Sequence, residues 1–587
     1  MILQSLCTYY KRLEDDPDSG VAPPGYAYNN VGACITLDED GNVTNVLSLM
    51  KEKKQFSKLL TPIQPKRSGS SPEAAFLCEN KEFIFGIYKD DKGAQYRFNA
   101  SREKHERVLK DVDDAGARAL FAFFDKRHQG SSEYEGIDTS PLEVGSNIVF
   151  RLKEETTYLH ERPKICEAWD KYVNSDVQSL PVAQCLVSGE IAPIARLHGN
   201  LGGFGTDRPT VVGFNQTAFC SYGRKKQEGE NAPVSHRAAF EYVTALNSLI
   251  ADRRHVVRIA GDRVLFWAEE SAGDEEDFLA LMFGNEPTDV SEEAKAAIDR
   301  KLLGALQAIR KGKMPAEYDF HENVVFSLLG IAANKTRVVI RFFYRSSFGQ
   351  LLRQIAQHYQ DINITGGESD TRIISPFRIL LETAVQHKAE NIPPQLQGGL
   401  MRSILWGTSY SHGLYMALLN RTRAEHEVNR VRAGMIKGYL NRLDRSQNRK
   451  EGLTVGLNLN ETNTGYLLGR LLALMEYSQK EALGDVNATI VDKYLNAALA
   501  TPQNVFSVLL PLFEKHVSKS ERYFRKSQAQ EIIGLIGSDG FPKTLNSEDQ
   551  GRFLVGYYHQ RQVFYTKRAA SDNQTIKENE TLQEVDQ

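Results

Sequence analysis

Apolar and polar residues follow two different periods along this chain, and each period predicts a different element. The segment 31–50, VGACITLDEDGNVTNVLSLM, predicts a β-hairpin whose strands flank a glycine-containing turn. FIFGIY over 83–88 predicts a further strand, and the pattern around 101–125 predicts a helix. Residues 320–345 predict a strand pair, which is followed by a helix over 346–361.

From about residue 376 onward the pattern is almost wholly helical. Val428, Val431, Met435 and Tyr439 recur every three or four residues, as the core-facing stripe of a helix does. The pattern therefore predicts an α+β, multidomain fold, with mixed α/β structure in the N-terminal two-thirds and an all-α helical bundle at the C-terminus.

A chain of 587 residues is too long for one ordinary core, so several domains are expected. We predict a mixed α/β region, a mixed central block, an acidic connector, a strand pair with a basic helical region, a helical bundle and a disordered tail. In that order, they span residues 1–135, 136–270, 271–300, 301–460, 461–568 and 569–587.

The net charge of −3 hides a strong segregation of charge along the chain. Residues 271–300 hold nine acidic and two basic side chains, which predicts a solvated helix or loop; a face that repels DNA is the alternative. Residues 401–450 hold ten basic and three acidic side chains. Such a region can bind polyanions although the total charge stays near zero.

The six cysteines lack metal-ligand spacing and are too sparse for a disulfide framework, which predicts a cytoplasmic location. The N-terminus has no signal-peptide pattern, and no apolar run approaches the roughly 18 residues of a membrane span. There is no P-loop and no HExxH motif, and GGFG at 202–205 is not a dinucleotide fingerprint. We therefore predict no enzyme, no cofactor and no metal, although active sites can leave no local trace.

The segment 185–247 is dense in Gly, Asn, Ser, Tyr and cationic side chains. A polynucleotide needs cations for its phosphates, amides for sugar or base edges, and tyrosine for stacking. The candidate contacts of this central block are Arg196, His198, Asn215, Tyr222, Arg224, Lys225, Lys226, Gln227 and Asn231. The alternative is that the asparagines cap turns and the tyrosine packs in a core.

A loop between two prolines forms a second candidate, because its cations can hold phosphate and its glycine permits close approach. Its candidate residues are Lys66, Arg67, Ser68, Gly69 and Ser70. An ordinary basic surface loop is the alternative.

Two further basic patterns lie in the second half of the chain. Alternation over 337–343 places Arg337, Arg341 and Phe343 on one strand face, a platform for single-stranded RNA. In 421–445, Arg423, Arg430 and Lys437 are seven residues apart and predict one helix face that follows phosphates, broadened by Arg432. Solvated surface arginines are the alternative for both.

Ordered sequence blocks along the chain resemble the large subunit of the type I-C CRISPR surveillance complex (Cascade), the Csd family. They are FLCENKEFIFGIYKDD (76–91), SREKHERVL (101–109), PIARLH with FNxxAFxSYG and NAPVS (within 185–247), LLGIAANKTRVVIRFF (328–343), RTRAEHEVNRVRAGMIKGYLNR (421–442) and NATIVDKYLNAALATPQNVF (487–506). The chain departs from the family over 200–212, where a lysine and small polar residues are missing, and at His236, where the family tends to have glutamate.

The resemblance implies a non-catalytic, RNA-guided DNA-recognition subunit for antiviral defence. By position, the loop at 66–70 would read the protospacer-adjacent motif (PAM) in double-stranded DNA, and the central block would hold the 5′ handle of the guide RNA (crRNA). The basic helix would stabilise the R-loop. Implied partners are crRNA, target DNA, the Cascade backbone, endonuclease and small subunits, and a recruited helicase–nuclease. A metal-dependent nuclease and a purely structural scaffold remain the alternatives.

Overall fold

The computed structural model describes residues 1–565 with gaps, and it divides the chain into two units, Met1–Ser248 and Leu249–Gln587. The residues outside the description are 17–18, 53–54, 66–72, 127–133, 206–207, 215–216, 221–227, 260–261, 271–272, 284–296, 298–299, 303, 307, 310–319, 367–372, 450–451, 538–539 and 566–587. The predicted α+β fold class is confirmed, because the sheets lie in the N-terminal two-thirds and helices fill the C-terminal part.

The first unit is organised by strand β1 (Tyr26–Leu37), which is buried along its second half. Its first half pairs antiparallel with β4 (Gln55–Pro62), and its second half lies between antiparallel β2 (Val43–Ser48) and parallel β5 (Asn147–Leu152). Strand β3 (Met50–Glu52) extends the sheet beside β4. The hairpin predicted over 31–50 is confirmed by the pairing of β1 with β2.

Helices of the first unit pack on this sheet, and two predictions about them are wrong. The segment 83–88 is not a strand: α2 (Lys81–Phe85) begins where Asn80 accepts a hydrogen bond from the Glu82 N–H and ends at Gly86, at φ +63°. The helix predicted around 101–125 is two helices, α3 (Asp91–Leu109) and α4 (Ala115–Lys126), because the Asp114 carboxylate accepts from the Gly116 N–H at 2.7 Å and starts a new helix.

The remaining elements of the first unit frame the central block. They are α1 (Ile2–Glu14), α5 (Pro163–Gln178), β6 (Val182–Gln184), β7 (Ile191–Pro193) and α6 (His236–Ala251). Strands β6 and β7 form a two-stranded antiparallel hairpin, so the block is built mostly on loops.

The second unit is built on a four-stranded antiparallel sheet of order β11-β10-β9-β8. Its strands are β8 (Val256–Ile259), β9 (Asp262–Ala268), β10 (Val325–Asn334) and β11 (Arg337–Ser347). The strand pair predicted over 320–345 is confirmed, as is the helix after it, α8 (Phe348–Ile362).

The acidic segment 271–300 is not simply solvated where the structure describes it. Within α7 (Gly273–Met282), Glu275 is 1% and Glu276 is 6% exposed. Glu276 accepts from the Ala268 N–H at 3.0 Å, and Glu275 accepts from the His321 N–H at 2.7 Å. These two carboxylates therefore hold the ends of other elements instead of facing solvent.

Helices dominate the rest of the second unit, as predicted. They are α9 (Pro376–Leu381), α10 (Pro394–Trp406), α11 (His412–Glu425), α12 (Arg430–Ser446), α13 (Thr464–Leu483), α14 (Ile490–Ala500), α15 (Pro502–Ser520), α16 (Phe524–Leu535) and α17 (547–565). The core runs without interruption from the sheet into these helices.

Candidate nucleic-acid interface

The predicted loop at 66–70 lies outside the described residues, but the chain on both sides of it is fixed. Before the loop, the Gln64 side-chain amide donates to Asn147 Oδ1 at 3.0 Å. After it, the Glu79 carboxylate accepts from the Ala75 N–H at 2.8 Å and is 1% exposed. The two flanks therefore belong to the sheet and core of the first unit, which gives the intervening segment a rigid base.

His105 contacts the chain that follows the loop, and both of its ring nitrogens form hydrogen bonds. The Leu77 N–H donates to Nε2 at 3.0 Å, and Nδ1 donates to the Ser101 carbonyl at 2.7 Å. Leu77 has φ +55°, a left-handed conformation that leucine seldom adopts, and this hydrogen bond helps to hold it there. Burial lowers the pKa of His105 to about 4, so the ring is neutral at pH 7.

In the central block, Arg196 and Asn231 lie in two segments that pack against each other. The Ala195 N–H donates to the Val234 carbonyl at 3.0 Å. Gly229 approaches so closely that a Cβ at this position would lie 1.8 Å from the Ala195 carbonyl oxygen. Arg196 is exposed beside this contact. The structure thus places the segments that carry these two predicted residues side by side, which we call the Arg196–Asn231 cluster, and the Asn231 amide donates to the Cys220 Sγ at 3.8 Å.

His198 faces inward, which corrects its predicted place on the surface of the central block. Its ring is 5% exposed, and Nδ1 lies 2.6 Å from the Tyr242 hydroxyl. Burial lowers the pKa of His198 to about 4. Its role here is to pack the block against α6. The other candidate contacts, Asn215, Tyr222, Arg224, Lys225, Lys226 and Gln227, lie outside the described residues.

The turn between β6 and β7 is held by a thiol that the sequence did not single out. Backbone N–H groups of Val187, Ser188 and Ser235 lie 3.4, 3.4 and 3.2 Å from the Cys185 Sγ. Burial alone would raise the pKa of Cys185, but hydrogen bonds from Ser188 and Ser235 outweigh it and lower the pKa to about 7. The sulfur thus fixes the loop that precedes Arg196.

A β-bulge breaks the alternation predicted for β11. Gly330 pairs with Phe342 and Ile331 pairs with Ile340, which leaves Arg341 as the extra residue. Ile340 is consequently 45% exposed and Phe342 only 6%, although alternation places them on one face. The predicted single-face platform is therefore wrong in its geometry, and Arg341 donates to Asp262 at 3.0 Å.

Cations gather instead at one end of this sheet, where β8 and β10 end and β9 and β11 begin. Arg258 and Arg263 are direct cross-strand partners. Lys335 lies in the β10–β11 turn and Arg337 begins β11, and both are exposed. Asp262, a carboxylate at this end of the sheet, accepts a hydrogen bond from Arg341 at 3.0 Å. We call Arg258, Arg263, Lys335 and Arg337 the basic sheet end.

The Arg258–Arg263 pair is electrostatically costly. Like charges directly opposite each other in a sheet repel. Burial lowers the pKa of Arg263, and the neighbouring Arg258 charge lowers it further. An anion placed against both guanidinium groups would relieve this repulsion. The sequence does not predict this pair, and its one local sign is the basic run RRHVVR at 253–258.

The helix stripe predicted over 421–445 is not one continuous face. Helix α11 ends at Glu425, and His426 has φ +55°. A second helix, α12, begins at Arg430 after the Asn429 cap. Arg423 and Arg430 therefore lie on different helices, because the left-handed backbone at His426 ends the first helix before Arg430 begins the second. The seven-residue spacing does not place them on one helical face.

Two members of the stripe are also buried. Arg432 is 0% exposed and pairs with Glu382 at 2.8 Å and with Glu425. Lys437 is 2% exposed, and its Nζ donates to the Asp361 carbonyl at 2.7 Å. Both side chains lock helices together, so the expectation that they follow phosphates on the surface is corrected.

Within the described part of the chain, no three His, Cys, Asp or Glu side chains come together in a way that could hold a metal ion. None of the described helices combines the length and apolar composition that a membrane span requires.

The sequence matches the family described as CRISPR-associated protein (Cas_Csd1) over residues 6–565, which includes both units. The chain belongs to this family. The Csd resemblance of the sequence blocks is thereby confirmed, and the protein is a component of a CRISPR-associated Cascade complex. No curated protein matches the chain. Among the described residues, the basic sheet end and the Arg196–Asn231 cluster both carry exposed cations.

Proposed function

We propose that this Cas_Csd1 protein is the non-catalytic large subunit of a type I-C Cascade complex that recognises the PAM in double-stranded target DNA. The family match over residues 6–565 carries the proposal. In RNA-guided complexes, the guide reads the target by base pairing, and the protein reads only a short adjacent motif. A reader of that kind needs a small cationic element held on a rigid base.

The loop at 66–70 has the composition for this task. Lys66 and Arg67 can contact base edges or phosphates, and the segment is bounded by two prolines. Its flanks, at Gln64 and Glu79, are held to the first unit by the hydrogen bonds described above. Such a base limits the conformational entropy that is lost when the loop engages DNA.

Two described surfaces support contact with nucleic acid outside the PAM. The Arg196–Asn231 cluster offers a cation and an amide, which suits the backbone of the crRNA 5′ handle. The basic sheet end offers four cations at the ends of neighbouring strands, which suits phosphates of an R-loop strand. We assign these two roles to the two surfaces. We further propose that the assembled complex recruits the helicase–nuclease.

The test is PAM discrimination by the complex assembled with guide RNA. A target duplex with randomised flanking bases is offered to the wild type, to Lys66→Ala and to Arg67→Ala, and bound sequences are counted. Each variant should lose discrimination equivalent to about 1–3 kcal/mol at the base that it contacts. Lys58→Ala is the matched control, because Lys58 is exposed on β4, the strand that leads to the loop.

Other outcomes separate the competing functions. Unchanged discrimination in both loop variants would favour a purely structural scaffold. Cleavage of labelled DNA by the purified chain in Mg²⁺ or Mn²⁺ would favour a nuclease and overturn the non-catalytic assignment.

A further inference from the structure

A cavity of about 230 Å³ lies in the C-terminal helices, where α13 and α17 meet the turn before α14. It is smaller than the roughly 300–1,000 Å³ of pockets that hold drug-sized ligands. A single ring system fits such a space better than a chain of several rings.

The cavity has an ordered aromatic wall. Tyr477 and Phe564 stack with their centroids 4.5 Å apart and their planes at 23°. The Arg525 guanidinium lies 4.9 Å from both centroids and donates to Glu481 at 2.8 and 3.0 Å. Tyr565, which is 38% exposed, adds a third ring. Phe564 is only 5% exposed, so Tyr565 is the ring of this wall that a flat ligand can reach, and the packed pair beside it limits the entropy lost on stacking.

Polar groups of both signs line the same space. Glu476 Oε2 accepts from the Tyr557 hydroxyl at 2.5 Å, which fixes the carboxyl group. Burial raises the pKa of Glu476. Lys480 is 44% exposed and lies 3.8 Å from Asp485, which is almost fully exposed. The interior thus offers hydrogen bonds to a ring edge, and the exposed Lys480 offers a cation.

The lining disfavours two other ligand classes. An ammonium ligand would compete with Arg561, whose guanidinium already lies 5.4 Å from the Tyr565 ring. An acyl chain would leave Glu476 and Arg561 without water. A nucleobase suits the whole set, because it stacks on rings, bonds through its edge and carries a phosphate that stays outside.

We propose that this cavity binds one base of single-stranded DNA, stacked on the aromatic wall with its phosphate toward Lys480. The inference rests on the proposed function, in which this subunit helps to hold a DNA strand of the R-loop. It adds a point where that strand is held by a base rather than by its backbone.

Binding of the full-length chain to a fluorescent 20-nucleotide dT strand tests the proposal. Tyr565→Ala should weaken binding about tenfold, which is within the range of removing one stacking partner. Tyr565→Phe keeps the ring and should bind as the wild type does. Tyr523→Ala is the matched control, because Tyr523 is a 62% exposed tyrosine that is not in the cavity lining. An abasic strand of equal length should bind the wild type and Tyr565→Ala equally.

Lys480→Gln gives a second result that does not depend on the ring. It should weaken binding of the normal and abasic strands alike, because its contact is with phosphate. Equal binding by wild type, Tyr565→Ala and Lys480→Gln would overturn the cavity assignment and leave the proposed function standing. Tighter binding of the corresponding rU strand would overturn the assignment to DNA. If the wild type binds no single strand at all, the strand-holding role fails, and the cavity assignment fails with it.

Discussion

The protonation of His105 makes the stability of the first unit depend on pH. Its two hydrogen bonds, from Leu77 and to Ser101, require the neutral ring. The pKa falls from 6.5 to about 4 on folding because of burial. The unfolded chain therefore binds a proton between pH 6.5 and 4 while the folded chain does not, so stability is lost as the pH falls through this window.

Because of His105, we expect the free energy of unfolding to fall by up to about 3 kcal/mol between pH 7 and pH 4. Urea unfolding at several pH values measures it, and His105→Gln should have a shallower slope than the wild type. His412→Gln is the control, because His412 is exposed on α11 and its ring faces the Tyr439 hydroxyl and not a carboxylate. A slope that His105→Gln leaves unchanged would contradict the assignment.

Arg432 is the buried cation on which several helix ends depend. Removing it leaves the carboxylates of Glu382 and Glu425 without their partner in the core. Arg432→Met should lower the free energy of unfolding by about 3–5 kcal/mol. Arg402→Met, at an exposed position on α10, should change it by no more than about 0.5 kcal/mol. Equal stability of the two variants, measured by chemical denaturation, would show that the ion pairs are dispensable.

The sequence predicts residue environments poorly where charge is buried. Arg432 and Lys437 belong to a run with ten basic and three acidic side chains, which favours a surface stripe. Their partners, Glu382 and the Asp361 carbonyl, lie 50 and 76 positions earlier in the chain. No local sequence pattern predicts such pairs, because they form only when α12 packs against α8 and the segment after α9.

At the scale of elements, glycines in α12 set the distance between two helices. A Cβ at Gly434 would lie 2.6 Å from the Ile362 carbonyl oxygen at the end of α8. Gly434→Ala should therefore destabilise the protein by about 1–3 kcal/mol, since the backbone must move.

Gly534 in α16 provides the matched control for that substitution. A Cβ at this position would meet nothing within 4 Å. Gly534→Ala should stabilise the protein by roughly 0.5–1 kcal/mol, because alanine favours the helical conformation. Thermal unfolding of both variants gives the signs, and a stabilising Gly434→Ala would show that α8 and α12 are not in close contact.

Elements were predictable where their determinants are local. The hairpin of β1 and β2 follows from alternation around a turn whose Gly41 has φ +77°. FIFGIY has the composition of a strand, yet the Asn80 cap and Gly86 enclose it in a five-residue helix whose Phe83, Ile84 and Phe85 are all buried. Apolar runs of this length fit either element, and the flanking residues decide between them.

For the whole molecule, the net charge of −3 says little about where a polyanion binds. The basic sheet end arises from strand register, which joins Arg258 to Arg263 and places Lys335 and Arg337 at the same end of the sheet. The sequence predicted Arg337 but neither arginine of the pair, since a register that depends on β8 and β9 cannot be seen in composition. The family was predictable, because many ordered motifs carry it.

Salt dependence of DNA binding tests this surface in the full-length chain. Each phosphate contact contributes roughly 0.7–0.9 to the slope of log K against log salt. Arg258→Gln with Arg263→Gln should lower that slope by about 1.5. The double variant Arg353→Gln with Arg402→Gln removes the same formal charge at two exposed positions and is the control. Equal slopes in the two double variants would mean that only total charge matters.

The Arg258–Arg263 pair also bears on how the isolated protein should behave. Two cations held opposite each other raise the energy of the folded chain, and any polyanion that reaches both lowers it again. A bound nucleic acid should therefore raise the free energy of unfolding of the subunit, because a ligand that binds only the folded state stabilises it. Protein freed of nucleic acid should have a lower melting temperature than protein that retains it. Assembly with the guide RNA should raise the stability of the second unit, which contains the pair.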